Sequence, residues 1–514
     1  MVRLLQTIAG LRAYLEQQQP GQSVGLVPTM GALHAGHHAL IAAARAENDR
    51  VVVSIFVNPL QFGPQEDLAQ YPRTLDTDCE QCDRLKVDAV FAPTAAEMGI
   101  DASETTTVQP PPAMMTGLCG AQRPGHFPGV ATIVVQLLNL VQPTRAYFGQ
   151  KDAQQLAMIR RIVSDLKLPV EIRPCAIVRE PSGLAYSSRN QYLSPSDRDQ
   201  AATLSRSLHN AQTAFQQGQR EAQSLITQVR RELATIPHST VDYVELVDPD
   251  TLAPLAQVET AGLLAIAVRL GSTRLIDNIV LRQRRPIIAI DGPAGVGKST
   301  VARQLAQNLN LLYLDTGAMY RAITWQVLAA GVAVTDAIAI AELASHAQIQ
   351  FQADAAVGQR VLINHQDVTQ AIRSPEVTSR VSAVASHRAV RRQLVDQQQQ
   401  WGRQGGIVAE GRDIGTAVFP DAEVKIFLTA SVAERARRRW VDLRQQGYNQ
   451  DVTTVEQQLQ ERDRIDSTRE VTPLRQAEDA IAICTDGLTI PDVITRITQH
   501  YEQTCKPSPT FQMI

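Results

Sequence analysis

A glycine-rich loop in the middle of the chain constrains the fold more than any other feature. Ile287-Ile-Ala-Ile-Asp291 is an apolar, strand-like run, Gly292-Pro-Ala-Gly-Val-Gly297-Lys298-Ser299 follows it, and Val301-Ala-Arg-Gln-Leu-Ala306 resumes with helical spacing. The loop reads G-x-x-x-x-G-K-S, a P-loop with strand, loop and helix start in register. Its backbone N–H groups turn inward around an anion, and the helix N-terminus adds partial positive charge. The motif assigns Gly292, Pro293, Ala294, Gly295, Val296, Gly297, Lys298, Ser299 and Thr300 to nucleotide binding. Lys298 would lie along the β- and γ-phosphates of ATP, and the Ser299 hydroxyl would hold Mg²⁺. About 280 of the 514 residues precede this segment, enough for a complete upstream enzyme.

Charge and hydropathy narrow the partners. The net charge is only −3, so bulk electrostatics favours neither nucleic acid nor a membrane surface. No apolar run approaches the ~18–20 residues that span a bilayer. The stretch 1–12 has charges interrupting its apolar residues and reads as an amphipathic helix rather than a signal peptide, which predicts a cytoplasmic protein. Cys79-Glu-Gln-Cys82 is half of a zinc spacing, but no second pair or histidine cluster completes it. Reduced thiols without an assigned role are expected there.

Alternation of strand-like and helical runs predicts an α/β fold. Residues 23–28, 51–57, 87–91 and 145–148 are candidate buried strands, with helical patterns at 37–46, 130–140 and 154–166 between them. That alternation predicts a doubly wound parallel sheet over about 1–180. Two polar helices over 195–235 and strands at 241–247, 263–268 and 274–280 predict a small α+β subdomain over 181–278. The basic, proline-ended stretch Leu281-Arg-Gln-Arg-Arg-Pro286 places a linker at 279–285. A second α/β unit is expected over 286–514.

In that second half, Asp315-Thr-Gly-Ala-Met-Tyr-Arg321, Glu410-Gly-Arg-Asp413-Ile-Gly-Thr, the basic run Glu434-Arg-Ala-Arg-Arg-Arg439 and Arg462-Asp-Arg-Ile-Asp466-Ser-Thr-Arg469 follow in order. Phosphoryl transfer is mostly positioning and neutralisation of oxygens, so guanidinium groups spread over several loops suit it. In this order the motifs resemble bacterial cytidylate kinase, a P-loop nucleoside monophosphate kinase fold, across the whole region. The resemblance implies that Thr316, Arg321, Arg391, Arg462, Asp466 and Arg469 bind the sugar and phosphate of CMP or dCMP. It implies that Arg412 and Asp413 read the cytosine amino edge, and that Arg435, Arg438 and Arg439 belong to a closing lid. Arg437 reads as a solvated surface charge. Glu410 stands where the family can have Asp.

Upstream, Val27-Pro-Thr-Met30-Gly-Ala-Leu-His34-Ala-Gly-His37 carries H-x-G-H after a strand and at a helix start. His34 and His37 share one face of the first turn. There they can bind a triphosphate and stabilise charge on leaving phosphates. Capping histidines and a metal pair are the other readings, although no third metal ligand falls in register. Tyr186-Ser-Ser-Arg-Asn190 supplies hydroxyls and a guanidinium for a phosphate clamp. These two motifs resemble the nucleotidylyl-transferase superfamily, with its Rossmann-like fold. The segments Asn58-Pro-Leu-Gln61, Tyr71-Pro-Arg73, Arg123-Pro-Gly-His126, Phe148-Gly-Gln-Lys151-Asp-Ala-Gln-Gln155 and Arg274-Leu-Ile-Asp-Asn278 extend the resemblance to pantothenate synthetase over about 1–278. That resemblance implies ATP binding by Met30, Gly31, Ala32, Leu33, His34, Ala35, Gly36 and His37, with His34 and His37 catalytic and His37 the proton donor. Gly149, Gln150, Lys151, Asp152, Val178, Tyr186, Ser187, Ser188 and Arg189 would complete the nucleotide site, with Lys151 neutralising the α-phosphate. Gln61 and Gln155 would hold pantoate, and Gln61 would also face β-alanine. Gln150 and Tyr186 depart from the family's usual Glu and Leu or Met.

The alternatives are a nucleotidylyl transferase that stops at an adenylate or other nucleotide product, a different monophosphate kinase, and a degenerate interaction module in one half. Intact phosphate-binding residues on both sides argue against the last. The expected partners are small molecules: ATP, pantoate, β-alanine and CMP or dCMP. A homodimer through the N-terminal half is compatible with the resemblance.

Overall fold

The computed structural model describes residues 2–19, 21–63, 68–100, 105–354, 358–445, 450–469 and 472–505. The chain divides into two compact units, 1–283 and 284–514.

The first unit begins with β1 (Arg3–Leu5), α1 (Ile8–Glu16), β2 (Val24–Thr29), α2 (Ala35–Glu47) and β3 (Arg50–Ile55). It continues through α3 (Leu75–Arg84), β4 (Ala89–Phe91), α4 (Leu118–Gln122), α5 (His126–Val141), β5 (Arg145–Gly149), α6 (Ala153–Asp165) and β6 (Glu171–Cys175). The six strands form one parallel sheet in the order β1-β4-β3-β2-β5-β6. β2 and β3 read as nearly continuous apolar runs because helices cover both faces of the sheet. From β2 the chain builds outward through β3 and β4, then reverses to β5 and β6. The β2/β5 boundary is therefore the switch point, where the loops after two neighbouring strands open a crevice.

The N-terminus differs from the amphipathic helix expected over 1–12. Arg3, Leu4 and Leu5 pair with Ala89, Val90 and Phe91 of β4, and α1 starts only at Ile8. The Thr7 side chain accepts the Gly10 N–H and caps that helix, so the apolar residues before the cap are spent on a sheet edge.

A small subdomain follows: α7 (Pro195–Gln216), α8 (Ala222–Leu233), β7 (Ser239–Val247), β8 (Ala261–Leu270) and β9 (Thr273–Arg282). The three strands form an antiparallel meander. One face packs on α7 and α8 through Leu204, Leu208, Val229, Val244 and Ile266. The other meets Leu118, Phe127 and Met158 of the large sheet's helices. The linker expected at 279–285 is mostly strand. Val280 and Leu281 pair with Leu263 and Gly262, because alternating apolar residues complete the β8 ladder. Arg284, next to the following strand, is ion-paired to Glu423 at 3.0 Å.

The second unit opens with β10 (Arg285–Asp291), α9 (Lys298–Asn308), β11 (Leu312–Asp315), α10 (Thr316–Ala329) and α11 (Ala337–Ser345). An antiparallel flap follows, β12 (Ile349–Asp354), β13 (Gly358–Ile363) and β14 (Gln366–Asp367), then α12 (Pro375–Ser386) and α13 (Arg388–Gly402). β15 (Gly405–Gly411), β16 (Val424–Thr429), α14 (Val432–Gln445), α15 (Val452–Thr468), β17 (Ile481–Cys484) and α16 (Ile490–Cys505) complete it. Its parallel sheet has the order β11-β15-β10-β16-β17, with β10 central. The P-loop leaves β10 at Gly292, where a Cβ would stand 2.2 Å from the Leu428 carbonyl oxygen of β16. Only glycine allows that passage.

Gly129 in α5 is a second close approach. A Cβ there would lie 2.2 Å from the Leu60 carbonyl oxygen, in the turn that carries Gln61. Gly129→Ala is expected to destabilise the first unit by about 1–3 kcal/mol. All three tryptophans, Trp325, Trp401 and Trp440, belong to the second unit. Denaturation followed by circular dichroism should therefore show an earlier transition while the tryptophan fluorescence transition stays in place. An unchanged dichroism curve would contradict the close packing.

Candidate active sites

In the first unit a cavity of about 300 Å³ opens at the β2/β5 switch point. Met30, His34, Gly36 and His37 line it from the β2–α2 side, and Gly149, Lys151, Asp152 and Gln155 from the β5–α6 side. Gln61, Val178, Tyr186, Ser187, Ser188 and Arg189 close the remaining wall. Residues far apart along the chain thus converge where helix N-termini point.

Gly31, Ala32, Leu33, Ala35 and Gln150 were expected here but do not line the cavity. The turn passes through left-handed backbone at Gly31 and Ala32 (φ 82° and 50°). That aims the Ala32 and Leu33 N–H groups at the Asp78 carboxylate, each at 2.9 Å. Asp78 is 1% exposed on α3, so the loop's donors satisfy a buried acid rather than a ligand. Gln150 is held by its backbone: its N–H donates to the Cys175 carbonyl at 2.8 Å.

His34 caps α2, as one of the sequence alternatives had it, and also lines the cavity. Its Nδ1 accepts the Gly36 N–H at 3.1 Å, and the His34 N–H donates to His37 Nδ1 at 3.3 Å. Both Nδ1 atoms act as acceptors, so these bonds assign the proton of each neutral ring to Nε2. The rings lie 4.1 Å apart. Burial, with the nearby Lys151 and His38 charges, lowers His34 to about 4; burial and the neighbouring histidines lower His37 to about 3. Both are neutral near pH 7. The Lys151 ammonium donates to the Tyr186 carbonyl at 3.0 Å, and burial lowers it to about 8.

Gln61 sits in a turn braced from three sides. Asn58 Nδ2 donates to Gln61 Oε1 and to the Gly129 carbonyl, both at 3.1 Å. His126 Nδ1 lies 2.7 Å from the Gln61 carbonyl oxygen, which also accepts from Arg123 at 3.2 Å. Gln155 occupies the first turn of α6, whose cap is the Asp152 carboxylate accepting the Gln155 N–H at 3.1 Å. Its neighbour Gln154 points the other way and is consumed by the Met114 and Gly117 carbonyls.

In the second unit a cavity of about 850 Å³ is lined by Ala294 to Thr300. All eight residues expected at the acceptor nucleotide line it too: Thr316, Arg321, Arg391, Arg412, Asp413, Arg462, Asp466 and Arg469. Lys298 is buried, with its ammonium on the Pro293 carbonyl at 2.6 Å, and desolvation lowers its pKa well below the ordinary range. Ser299 Oγ donates to Glu410 at 2.9 Å. Arg391 pairs with the Asp413 carboxylate, and Arg469 reaches it at 3.3 Å. Desolvation would raise Asp413, yet these guanidiniums hold it below the ordinary carboxylate range. Arg412 donates to Asp466 at 2.8 Å. Arg462 is lowered to about 10, by burial first and then by Arg412, Arg321 and Arg439 among its neighbours. This cluster of cations calls for an anion.

Gly292 and Pro293 do not line the cavity, and neither does Arg435. Arg435 was expected in a lid; it is 3% exposed and donates to the Ala294 carbonyl at 3.1 Å and to Asp463 at 2.6 Å. It braces the P-loop from α14. Arg438 and Arg439 face the cavity, and Arg438 is tied to Glu434 and Thr485. Arg437 lines its rim at 63% side-chain exposure, paired to Glu434. Asp78 and the bracing role of Arg435 carried no local sequence signal, because each acts on backbone groups distant along the chain.

Among the described residues no cluster of three or more His, Cys, Asp or Glu side chains could hold a metal, and no helix is long and apolar enough to cross a membrane. Cys79 and Cys82 are free thiols, and burial raises the pKa of both.

Residues 3–280 match the family model described as pantoate-beta-alanine ligase, and residues 288–503 match cytidylate kinase. A bifunctional pantoate ligase/cytidylate kinase of Trichormus variabilis is 56% identical, over 98% of this chain and 99% of the relative. One from Synechocystis sp. is also 56% identical, over 98% and 99%. The crystal structure of pantothenate synthetase from Thermus thermophilus superposes with a TM-score of 0.52 at 45% identity, covering 55% of this chain and all of that one.

The depressed histidines set the sign of a pH dependence. Between about pH 4 and 6.5 the unfolded chain binds protons at His34 and His37 that the folded site refuses, so their contribution to stability falls on acidification. The first unit's dichroism midpoint should drop between pH 7 and 5, and the drop should shrink in His34→Gln/His37→Gln. An equal drop in that double variant would show that other groups govern the acid response.

Proposed function

The chain belongs to the bifunctional pantoate ligase/cytidylate kinase family, and from that premise we propose a residue-level account of its two reactions. The N-terminal unit is a pantoate–β-alanine ligase and the C-terminal unit a cytidylate kinase; both use ATP. The observation that carries the account is common to both: a desolvated lysine beside a helix N-terminus, at the carboxyl end of a central parallel strand.

In the ligase unit the pantoate carboxylate attacks the α-phosphorus of ATP, giving pantoyl adenylate and pyrophosphate. The β-alanine amine then attacks the acyl carbon, and AMP leaves as the amide forms. Neutral His34 and His37 present Nε2–H donors to the leaving phosphates. His37 supplies a hydrogen bond there rather than a full proton, since its ring does not hold a second proton near pH 7. Lys151 offsets charge at the α-phosphate, while Ser187, Ser188 and Arg189 clamp the β- and γ-phosphates. Gln61 and Gln155 hold pantoate with neutral amides, which bind a hydroxyl or carboxylate without quenching the nucleophile. Because burial places Lys151 near pH 8, nucleotide binding takes up a proton in that range.

In the kinase unit the CMP or dCMP phosphate attacks the γ-phosphorus of ATP, releasing ADP. Arg321, Arg462 and Arg469 bind the acceptor phosphate and sugar with Thr316 and Asp466. Asp413 is kept ionised and therefore accepts only, which favours the amino edge of cytosine over the carbonyl of uracil. The residues also fit Mg²⁺: Ser299 commits its proton to Glu410, which leaves its oxygen lone pairs able to accept a cation. Bound there with ATP, the ion would neutralise β- and γ-oxygen charge. Asp291, raised to about 6 by burial, and Glu410 are the nearby acids that Lys298 balances.

Separate variants test the assignment. Lys298→Ala should lower CDP formation by ~10²-fold or more and leave pantothenate formation within about twofold. His37→Ala should do the reverse. Loss of both activities from either change would refute independent sites. Multiple-turnover AMP release without β-alanine would overturn the ligase account, and equal rates with UMP or AMP would overturn the acceptor assignment.

A further inference from the structure

The last strand of the small subdomain reaches the loop that carries Lys151. The Asn278 side-chain amide donates to the Gln150 and Lys151 carbonyl oxygens, both at 2.9 Å. With Gln150 N–H bound to Cys175 on β6, the loop is pinned from two strands of different sheets. Beside Asn278, the Asp277 carboxylate is 3% exposed. It accepts from the Arg179 guanidinium at 2.6 and 3.0 Å and from the Asn278 N–H at 2.8 Å. Register leaves β9 little slack there, because Asp277 and Asn278 stand opposite Ile266 and Ala265 in the middle of β8.

We infer that Asn278 is a positioning residue of the ligase reaction, acting through the Gly149–Asp152 loop to hold the Lys151 ammonium at the phosphates of ATP, and that the neighbouring Asp277 carboxylate, buried beside it, acts on that ammonium by its charge. The inference rests on Lys151 being a phosphate ligand. Both amide hydrogens of Asn278 are committed to that loop's carbonyls, so its side chain has one purpose the geometry identifies: it sets where the loop turns into α6. Asp277 acts through its field. The groups facing Lys151 are Asp277 on β9, Asp152 on its own loop, Arg189 and Arg179 from the 179–190 segment, and the neutral His34 and His37 of α2. Burial is the main influence lowering Lys151, and Asp277 is the strongest of the opposing charges. Without that carboxylate the lysine would lose its proton at lower pH.

The full chain supplies its own concentration standard, since cytidylate kinase activity measures the amount of chain in the same tube, and circular dichroism reports whether the first unit is folded. For wild type, kcat/KM for ATP in ligation should fall above about pH 8. In Asp277→Asn that alkaline limb should move toward acid by at least ~0.5 pH, with the kinase profile unmoved. Asn278→Ala should raise KM for ATP or lower kcat by ~10-fold or more. Asn278→Asp, which turns an acceptor toward two carbonyls, should lose more than the alanine variant. If Asp277→Asn leaves Arg179 unpaired and the unit unfolds, Arg179→Gln/Asp277→Asn removes both charges; the limb should still move toward acid, because Asp277 outweighs Arg179 at Lys151. An unmoved limb in the folded variant, or ligation within about twofold for Asn278→Ala, overturns the inference. Lys151→Ala separates the premise: if it ligates normally, the reading of Lys151 itself is wrong.

Discussion

Both units depend on how the first N–H groups of a helix are satisfied at the carboxyl end of a central parallel strand. A helix start leaves such donors without intrahelical partners, and burial makes an unmet donor costly. The two units meet this constraint differently. α2 is capped by its own His34, and the preceding donors of Ala32 and Leu33 are taken by Asp78. α9 follows Gly297 with no side-chain cap, so its donors are left for an anion. The ligase loop is thus held in shape by protein groups and presents side chains, whereas the P-loop presents backbone.

Buried cations follow from the same geometry. Lys151, Lys298 and Arg462 are all lowered by desolvation, which marks charges that the protein does not fully compensate. Others are compensated: Arg391 with Asp413, Arg412 with Asp466, Arg179 with Asp277, and Arg435 with Asp463. Buried pairs of this kind contribute little net stability. Their effect is to fix directions, so that the segments carrying the uncompensated cations stay turned toward the cavities.

Legibility in the sequence followed distance along the chain. The P-loop and H-x-G-H were readable because strand, turn and helix start are local, and the major strands and helices emerged within a few residues of the expected positions. Arg435 was misread as a lid residue: a basic helical run shows charge, but not that one guanidinium turns inward to Ala294. The first twelve residues looked helical because a three-residue edge strand is too short to show its period. The linker looked plausible from its arginines and proline, while pairing to β8 was invisible.

The sequence by itself determined the two α/β units, the order of their motifs and the cations that line the two cavities, since those depend on spacing within short segments. Tertiary structure alone decided that Asp78 takes the Ala32 and Leu33 N–H groups, that the two histidines are neutral, and that Asn278 and Asp277 stand behind Lys151. Burial and cross-strand register produce these effects, and neither is written in any stretch of neighbouring residues.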